Sequence, residues 1–320
     1  MARGRSAGRE ATRCRRLARL LLLACMLVPR NAPGQTPDAE PTVDPDTIRV
    51  GYSGRLFVEV SPADVEVAVE LWGRQLTASM GREVVPRIVM LDDHGAVARA
   101  VRAGEVDILT LSVLEYLKLH DRVGLEAALV NVTNTGVQDE FVLLVRRAAG
   151  VETLDQLRGK VLMAEAVRAE NSIPTIWLES LLLKGGLGRQ EVFFGDTKTV
   201  KKTSQAVLAV FFGQADAALV RRKSFGTMVE LNPQLEQELT VLAVSPALLE
   251  FVTCFPADGD PKKQAIMEEG GLNLHTYPRG RQILTLFGVG RVVPFDPDFL
   301  TSVKALLDEY RALAAAEPQL

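Results

Sequence analysis

The sequence contains few of the residues from which metal, cofactor and disulfide sites are built. Its 320 residues include three cysteines and three histidines. The histidines, His94, His120 and His275, are far apart along the chain, and no cysteine pair has the spacing of a zinc site. We therefore expect no metal ion and no cofactor.

The motifs of common catalytic sites are also missing. There is no G-x-S-x-G nucleophile elbow, no phosphate-binding loop of the NTPase type and no dinucleotide fingerprint. The stretches GGLG at 185–188 and GVG at 288–290 lack the required spacing and strand context. The pair Asp92–Asp93 is interpreted as solvated loop residues. We predict that the protein is not an enzyme and has no catalytic residues; the enzyme hypothesis would require turnover.

Residues 1–34 have the pattern of a signal peptide. A basic stretch precedes the apolar run Leu20–Val28, and small residues ending at Gly34 follow. This run is too short to span a bilayer. Cleavage after Gly34 is predicted, with lipoprotein processing at Cys25 and twin-arginine export through Arg15–Arg16 as alternatives. We therefore expect the protein in the periplasm.

The chain that follows is acidic. Removing residues 1–34 takes away eight arginines and one glutamate, so 37 basic and 40 acidic residues become 29 and 39 and the net charge changes from −3 to −10. Such a charge argues against binding to nucleic acid or to an anionic membrane. Cys254 then has no intrachain partner, and we expect it to be a buried apolar residue.

The order of strands and helices predicts two α/β lobes. After a proline-rich, acidic lead-in at 35–45, strands are expected at 47–52, 84–91 and 106–112, with a helix from His94 between the last two. In ARAVRAGEVDILTL at 98–111 and QAVLAVFFGQADAALV at 205–220 a helix ends in glycine and an aspartate precedes a buried strand. This internal similarity suggests two lobes of similar build.

The lobe boundaries follow from two extended segments. EFVLLVR at 140–146 leads into a second lobe at 140–244, in which Val161–Ala164, Val192–Phe194 and Ala217–Val220 are expected to be strands. Residues 239–246 are predicted to return the chain to the first lobe, which then comprises 46–139 and 245–320 and ends with a helix at 297–316. Two connecting segments form a hinge.

Within the second lobe, the stretch AEAVRAENSIPTIWLESLLLKGG at 164–186 predicts a loop followed by a well-capped helix. Asn171 or Ser172 can cap the helix, Pro174 suits its first turn, and glycines end it. The free amides of such a helix start, together with its partial positive charge, suit an anion.

The sequence resembles the phosphate-, phosphite- and phosphonate-type solute-binding proteins of ABC transporters. The resemblance covers nearly the whole chain after the leader. It is carried by IRVGY at 48–52, AVRAGEVDI at 100–108, LDQLRGKV at 154–161, QAVLAVFFGQADAA at 205–218 and LAVSPAL at 242–248. The resemblance implies an α/β, two-lobed periplasmic-binding-protein type II fold, each lobe a central, mostly parallel sheet flanked by helices.

The resemblance also implies a ligand site in the interlobe cleft. The family's Ser-Thr-Ser loop corresponds to Glu170, Asn171 and Ser172, of which Ser172 is retained. The family's histidine at the next helix start corresponds to Thr203, which can donate a hydrogen bond but carries no charge. Nearby cations are candidates to replace that charge or belong to a solvated basic face: Lys198, Lys201, Lys202, Arg221 and Arg222.

In the first lobe, His94 corresponds to a tyrosine of the family's pocket. The loops predicted at Ser53-Gly54-Arg55 and at Thr110–Tyr116 follow strands, at the edge where clefts form in parallel sheets. The ligand-binding residues predicted for the protein are therefore Ser53, Gly54, Arg55, His94, Ser112, Tyr116, Asn171, Ser172 and Thr203.

The resemblance implies an exported, monomeric protein that closes on a small anionic ligand and delivers it to an ABC transporter permease. A sensor of the same fold, which presents its closed form to a membrane receptor, is the alternative. Gene neighbourhood separates the two, because transport requires permease and ATPase genes whereas sensing requires a kinase.

Overall fold

The computed structural model describes residues 47–53, 67, 70–71, 85–133, 136–165 and 172–316. The predictions for the signal peptide and the lead-in lie outside these residues, as do those for Gly54, Arg55, Glu170 and Asn171.

The described strands form two sheets. The first sheet has six strands in the order β11-β4-β10-β3-β1-β2, and the second has five in the order β7-β6-β8-β5-β9. The strands are β1 Thr47–Ser53, β2 Val85–Leu91, β3 Ile108–Ser112, β4 Leu125–Val132, β5 Phe141–Arg146, β6 Val161–Glu165, β7 Asp196–Val200, β8 Ala217–Arg221, β9 Leu239–Val244, β10 Phe251–Pro256 and β11 Arg291–Pro294.

Helices connect these strands. They are α1 His94–Arg102, α2 Val113–Val123, α3 Ile173–Lys184, α4 Gln190–Phe193, α5 Thr203–Phe211, α6 Arg222–Leu231, α7 Gln234–Glu238, α8 Pro261–Asn273, α9 Pro278–Leu286 and α10 Thr301–Ala316. Short 3₁₀ turns occur at 147–149, 154–157, 274–276 and 297–300. Within the described part of the chain, no helix combines the length and apolar character needed to cross a bilayer.

The two-sheet α/β architecture agrees with the prediction, but both sheets are mixed rather than mostly parallel. β1 pairs in parallel with β2 and β3, and β6 with β7 and β8. β5 pairs antiparallel with β8 and β9, and β10 pairs antiparallel with β3 and β4. β5 and β10 are the first strands after the two connecting segments. Each of them runs antiparallel to both of its neighbours in the sheet.

The internal similarity in the sequence has a structural counterpart. Asp107 precedes β3, and its side chain accepts a hydrogen bond from the backbone N–H of Arg49 in β1 at 2.7 Å. Asp216 precedes β8, and its side chain accepts from the backbone N–H of Val161 in β6 at 2.9 Å. Each aspartate therefore links the start of the strand that follows it to the neighbouring parallel strand: Asp107 links β3 to β1, and Asp216 links β8 to β6.

One predicted strand is wrong. Val192 and Phe193 lie in the short helix α4, and the strand follows it at β7. Phe193 is fully buried and packs edge-on against Phe194, which explains the apolar signal. β7, with the sequence DTKTV, is an edge strand that is exposed along most of its length, so it lacks the apolar pattern of a buried strand.

Two connecting segments run side by side between the sheets. Asp139 and Leu248 exchange backbone hydrogen bonds of 2.9 and 2.8 Å. The backbone N–H of Phe141 donates to the Ser245 hydroxyl at 2.8 Å, and the Ser245 N–H donates to the Phe141 carbonyl. The two connecting segments are therefore hydrogen-bonded to each other where the chain passes between the sheets.

The C-terminal helix packs against the half of the molecule that carries the second sheet. α10 contacts α3, and Lys184 forms an ion pair of 2.7 Å with Glu309. The sequence placed this helix with the first lobe. The chain just before the helix does contact the first half, because Phe295, which directly follows β11, donates from its N–H to the carbonyl of Ala128 in β4.

Cys254 is buried in β10. Burial raises the pKa of its thiol. We expect iodoacetamide to alkylate Cys254 only when the protein unfolds, since the thiolate is the reactive species. Mass spectrometry of the peptide that contains Cys254, with and without urea, measures this; labelling of the native protein at the rate of a free thiol would contradict it.

Candidate functional site

Three secondary-structure ends meet at one edge of the second sheet. β6 ends at Glu165, β8 ends at Arg221, and α5 begins at Thr203. β6 and β8 are parallel neighbours, so their carboxyl ends lie side by side. In sheets of this type ligands bind at the carboxyl ends of parallel strands.

Arg221 is the centre of this edge. Its Nη1 donates to Glu165 at 2.6 Å, and its Nε and Nη2 donate to the two oxygens of Glu250 at 2.7 and 2.9 Å. The side chains of Glu165, Glu250 and Arg221 are 7%, 12% and 22% exposed. A bidentate arginine–carboxylate pair of this kind fixes both position and orientation.

This ion pair links the two halves of the molecule. Arg221 belongs to the second sheet, whereas Glu250 precedes β10 of the first sheet, and its carbonyl accepts a hydrogen bond from the N–H of Val113 at 2.8 Å. Asp139, on the other connecting segment, acts on Arg221 and Glu250 through its charge. The contact therefore lies beside the two connecting segments.

Electrostatics at this edge are dominated by carboxylates. Burial alone would lower the pKa of Arg221, but the charges of Glu250 and Glu165 outweigh it and raise that pKa. Burial raises the pKa of Asp139, and the negative charge of Glu250 adds to the effect. Burial lowers the pKa of Lys223. Arg221 is therefore fully charged and already neutralised by protein groups.

Thr203 lies at the predicted position, but its hydroxyl has an internal partner. It is 6% exposed, and its Oγ1 donates to Glu165 Oε2 at 2.8 Å. A hydroxyl has one hydrogen to donate. In this arrangement Thr203 does not offer that hydrogen to a ligand.

Ser172 also lies at the predicted helix start. It is the N-cap of α3, with its side chain accepting from the Thr175 N–H at 3.4 Å and lying 2.8 Å from the Thr175 hydroxyl. Pro174 is in the first turn, as expected. α3 follows β6 and α5 follows β7, and these strands are parallel neighbours, so both helices begin at the same edge.

The first sheet has a similar arrangement around a buried glutamate. Glu115, 1% exposed, accepts from the Ser53 hydroxyl at 2.9 Å through Oε1. Its Oε2 accepts from the Ser112 hydroxyl at 2.8 Å and from the Ser112 N–H at 3.1 Å. Ser53 ends β1 and Ser112 ends β3, which are parallel neighbours.

The predicted loop at Thr110–Tyr116 is wrong. Thr110 and Ser112 are in β3, and α2 begins directly at Val113 with Ser112 as its N-cap. A capping box between Ser112 and Glu115 allows the strand to pass into the helix without a loop. Tyr116 is consequently a buried first-turn residue that stacks on His120 at 4.8 Å between ring centroids.

His94 lies at the same edge of the first sheet as Ser53. It is the first residue of α1, whose N-cap Asp93 accepts from the Ala96 N–H at 2.8 Å. That hydrogen bond lowers the pKa of Asp93. β2 ends at Leu91, which is paired with Ser53, so the chain reaches His94 three residues beyond that edge.

Of the five candidate cations, Arg221 is the one whose side chain is partly buried at this edge, 22% exposed. Lys198 is exposed beside Asp196 at 3.6 Å, and Arg222 forms an exposed pair with Glu140 at 2.8 Å. Lys201 and Lys202 are exposed. These four belong to the solvated surface.

Sequence reasoning did not identify the three glutamates of the site. Glu115 had a usable signal, because Ser112 and Glu115 have the spacing of a capping box before an apolar helix. Glu165 and Glu250 had none, since their importance comes from contact with Arg221. Among the described residues, no group of three potential metal ligands converges.

Solved structures identify the fold. The chain is similar to a binding protein component of an ABC phosphonate transporter from Pseudomonas aeruginosa, with a TM-score of 0.63 and 14% identity over 86% of this chain and 90% of that one. It is also similar to PhnD1 from Prochlorococcus marinus in complex with methylphosphonate, with a TM-score of 0.60 and 13% identity over 84% and 99% of the two chains. The fold is that of the type II periplasmic binding proteins.

A third similar structure is XAC2383 from Xanthomonas citri bound to a chloride ion, with a TM-score of 0.63 and 15% identity over 85% of this chain and 100% of that one. The search of curated proteins gave no match.

The family follows from the sequence. A family profile described as ABC transporter, phosphonate, periplasmic substrate-binding protein matches residues 57–300. The chain therefore belongs to this family of transport solute-binding proteins and not to a family of enzymes.

Proposed function

We propose that the protein captures a small ligand between its two sheets and delivers it to an ABC transporter permease. The observation that carries the proposal is that α3 and α5 begin at the same edge of the second sheet, the edge at which Glu250 from the other half meets Arg221. Helix starts of this kind present free amides and a partial positive charge to a ligand.

Capture would proceed by closure about the two connecting segments at 139–141 and 245–248. A ligand that touches both halves binds the closed arrangement better than the open one, and its binding therefore shifts the population towards closure. The paired backbone of Asp139 and Leu248 supplies a fixed pivot for that motion.

The proposed ligand is a small phosphonate- or phosphate-like oxyanion. Family membership supports this class, as does the methylphosphonate held by the Prochlorococcus marinus neighbour. Contacts from the second sheet are proposed for Asn171, Ser172 and Thr203, and from the first sheet for Ser53, Gly54, Arg55, His94, Ser112 and Tyr116. Export by the leader at 1–34 and a monomeric state complete the proposal.

A ligand panel tests this function. We expect the purified protein to be stabilised by one phosphorus oxyanion among phosphate, phosphite, methylphosphonate and 2-aminoethylphosphonate, with sulfate, carboxylates and amino acids as comparisons. At 100 times its Kd a ligand adds about 2.7 kcal/mol to the free energy of unfolding, which is visible as a higher melting temperature. Binding should be lost in Ser172→Glu. A flat phosphorus series with a shift from another compound would overturn the ligand class and leave the fold standing.

A further inference from the structure

At both sheet edges, buried glutamates accept the hydroxyl hydrogens of predicted ligand-binding residues. Glu115 accepts those of Ser53 and Ser112. Glu165 accepts that of Thr203. The same arrangement occurs in two halves that share no strand, so it is a repeated feature of the predicted cleft and not one local contact.

This arrangement determines which hydrogen bonds Thr203 can make. Its single hydrogen points to Glu165, so the Thr203 oxygen faces any other group with its lone pairs. A fully ionised phosphonate has acceptor oxygens and no donor. Its oxygens would therefore face the lone pairs of the Thr203 oxygen, and no hydrogen bond could form between them. A ligand with an O–H or N–H group would find an acceptor.

The charges of Arg221, Glu165 and Glu250 also disfavour an oxyanion at Thr203. Arg221 contributes one positive charge, and the two carboxylates that hold it contribute two negative charges. An oxyanion that approaches Thr203 therefore meets a group with net negative charge, because the arginine is already neutralised.

We propose that Glu165 is a specificity-determining residue of the ligand site, which disfavours fully ionised oxyanions at Thr203 and favours a ligand that donates a hydrogen bond there. This inference rests on the proposed function, because it requires that a ligand reach the edge where β6, β8 and α5 meet. Glu165 then has two roles: it pairs with Arg221, and it orients the Thr203 hydroxyl that meets the ligand.

Glu165→Gln tests the inference with methylphosphonate as the probe, at a pH where the probe is fully ionised. The uncharged amide can donate to the Thr203 oxygen, which turns the hydroxyl hydrogen outward, and Arg221 keeps its bidentate partner Glu250. We expect methylphosphonate to bind the variant at least about tenfold more tightly than it binds the unchanged protein, the effect of about one hydrogen bond to a charged group. Titration calorimetry measures both affinities.

A second substitution isolates the hydroxyl. In Glu165→Gln/Thr203→Val the gain should disappear, because valine cannot donate to the oxyanion. Glu191→Gln, an exposed substitution in α4, is the matched control and should produce no gain. If Glu165→Gln fails to fold, Glu165→Asp serves instead. Its shorter side chain withdraws the acceptor from the Thr203 hydroxyl. A smaller gain is expected, because the negative charge remains.

Each outcome decides the question. An affinity of Glu165→Gln for methylphosphonate that is unchanged, weaker or undetectable overturns the inference, as does a gain that survives the loss of the Thr203 hydroxyl. Failure of the proposed function is a separate result, namely that no compound of the panel stabilises the unchanged protein. Tight binding of methylphosphonate to the unchanged protein, weakened in Glu165→Gln, would support the function and refute the role of Glu165.

Discussion

Replacing Arg221 with methionine is expected to lower the free energy of unfolding by about 3–5 kcal/mol, because it leaves Glu165 and Glu250 buried without their counter-ion. A loss of this size is a large part of the about 5–15 kcal/mol that stabilises a typical domain. Equilibrium unfolding in urea, followed by circular dichroism, measures it.

The neighbouring arginine supplies the control. Arg222 pairs with Glu140 at a similar distance, 2.8 Å, but the two side chains are 57% and 37% exposed. Exposed pairs contribute little, so Arg222→Met should cost less than about 1 kcal/mol. Equal losses in the two variants would show that burial does not determine the importance of Arg221.

The Arg221 variant also tests the cause of the loss. If the cost comes from uncompensated carboxylates, the triple variant Arg221→Met/Glu165→Gln/Glu250→Gln should recover much of the stability. Replacing every member of a buried ion pair with uncharged residues is often tolerated, whereas removing one member is not. Persistence of the full loss in the triple variant would point to lost packing around the arginine instead.

Replacing Glu115 with alanine is expected to lower the free energy of unfolding by about 2–3 kcal/mol. The substitution removes the acceptor of the Ser53 hydroxyl and of the Ser112 hydroxyl and N–H, and it breaks the capping box of α2. A buried donor left without an acceptor costs about 1–3 kcal/mol. The expected loss is less than the sum over the three donors, because the two hydroxyls can rotate towards other acceptors. Ser112 also stays the N-cap, since the N–H of residue 115 still donates to its Oγ. Urea unfolding again provides the measurement.

Asp121→Ala on the same helix is the control for this prediction. The Asp121 side chain is 88% exposed, and substitutions of exposed side chains usually change stability by less than about 0.5 kcal/mol. Glu115→Gln should be milder than Glu115→Ala, because the amide oxygen can still accept. A Glu115→Ala variant as stable as Asp121→Ala would refute a structural role for this carboxylate.

Much of the fold could be predicted from local patterns. The β1 strand TIRVGYS, the cap at Ser172 and the glycines that follow α1 and α5 fall where the sequence placed them, since each depends on residues close together in the chain. The prediction was wrong where local and tertiary signals differ. Val192–Phe194 is apolar because a helical turn buries Phe193, and the real strand β7 is polar because it lies at a sheet edge.

The site was predicted less completely. Ser53, Ser112, Ser172 and Thr203 do lie at the strand ends and helix starts of the two sheets, because strand–helix order fixes those positions. Their hydrogen-bonding roles were not predictable. Donation by Thr203 was expected, yet its hydrogen is used by Glu165, a residue that the sequence analysis did not consider.

The sequence by itself determined the alternation of strands and helices, the caps that begin the helices, and the family, since all of these depend on short patterns and their order. The tertiary structure alone decided which charges meet. Arg221 reaches Glu250 across 29 residues and Glu165 across 56, and Ser53 reaches Glu115 across 62. Residues so far apart in the chain come into contact only after the sheets have formed and their strand ends are aligned. Which groups of the site donate and which accept hydrogen bonds is therefore decided by the folded chain.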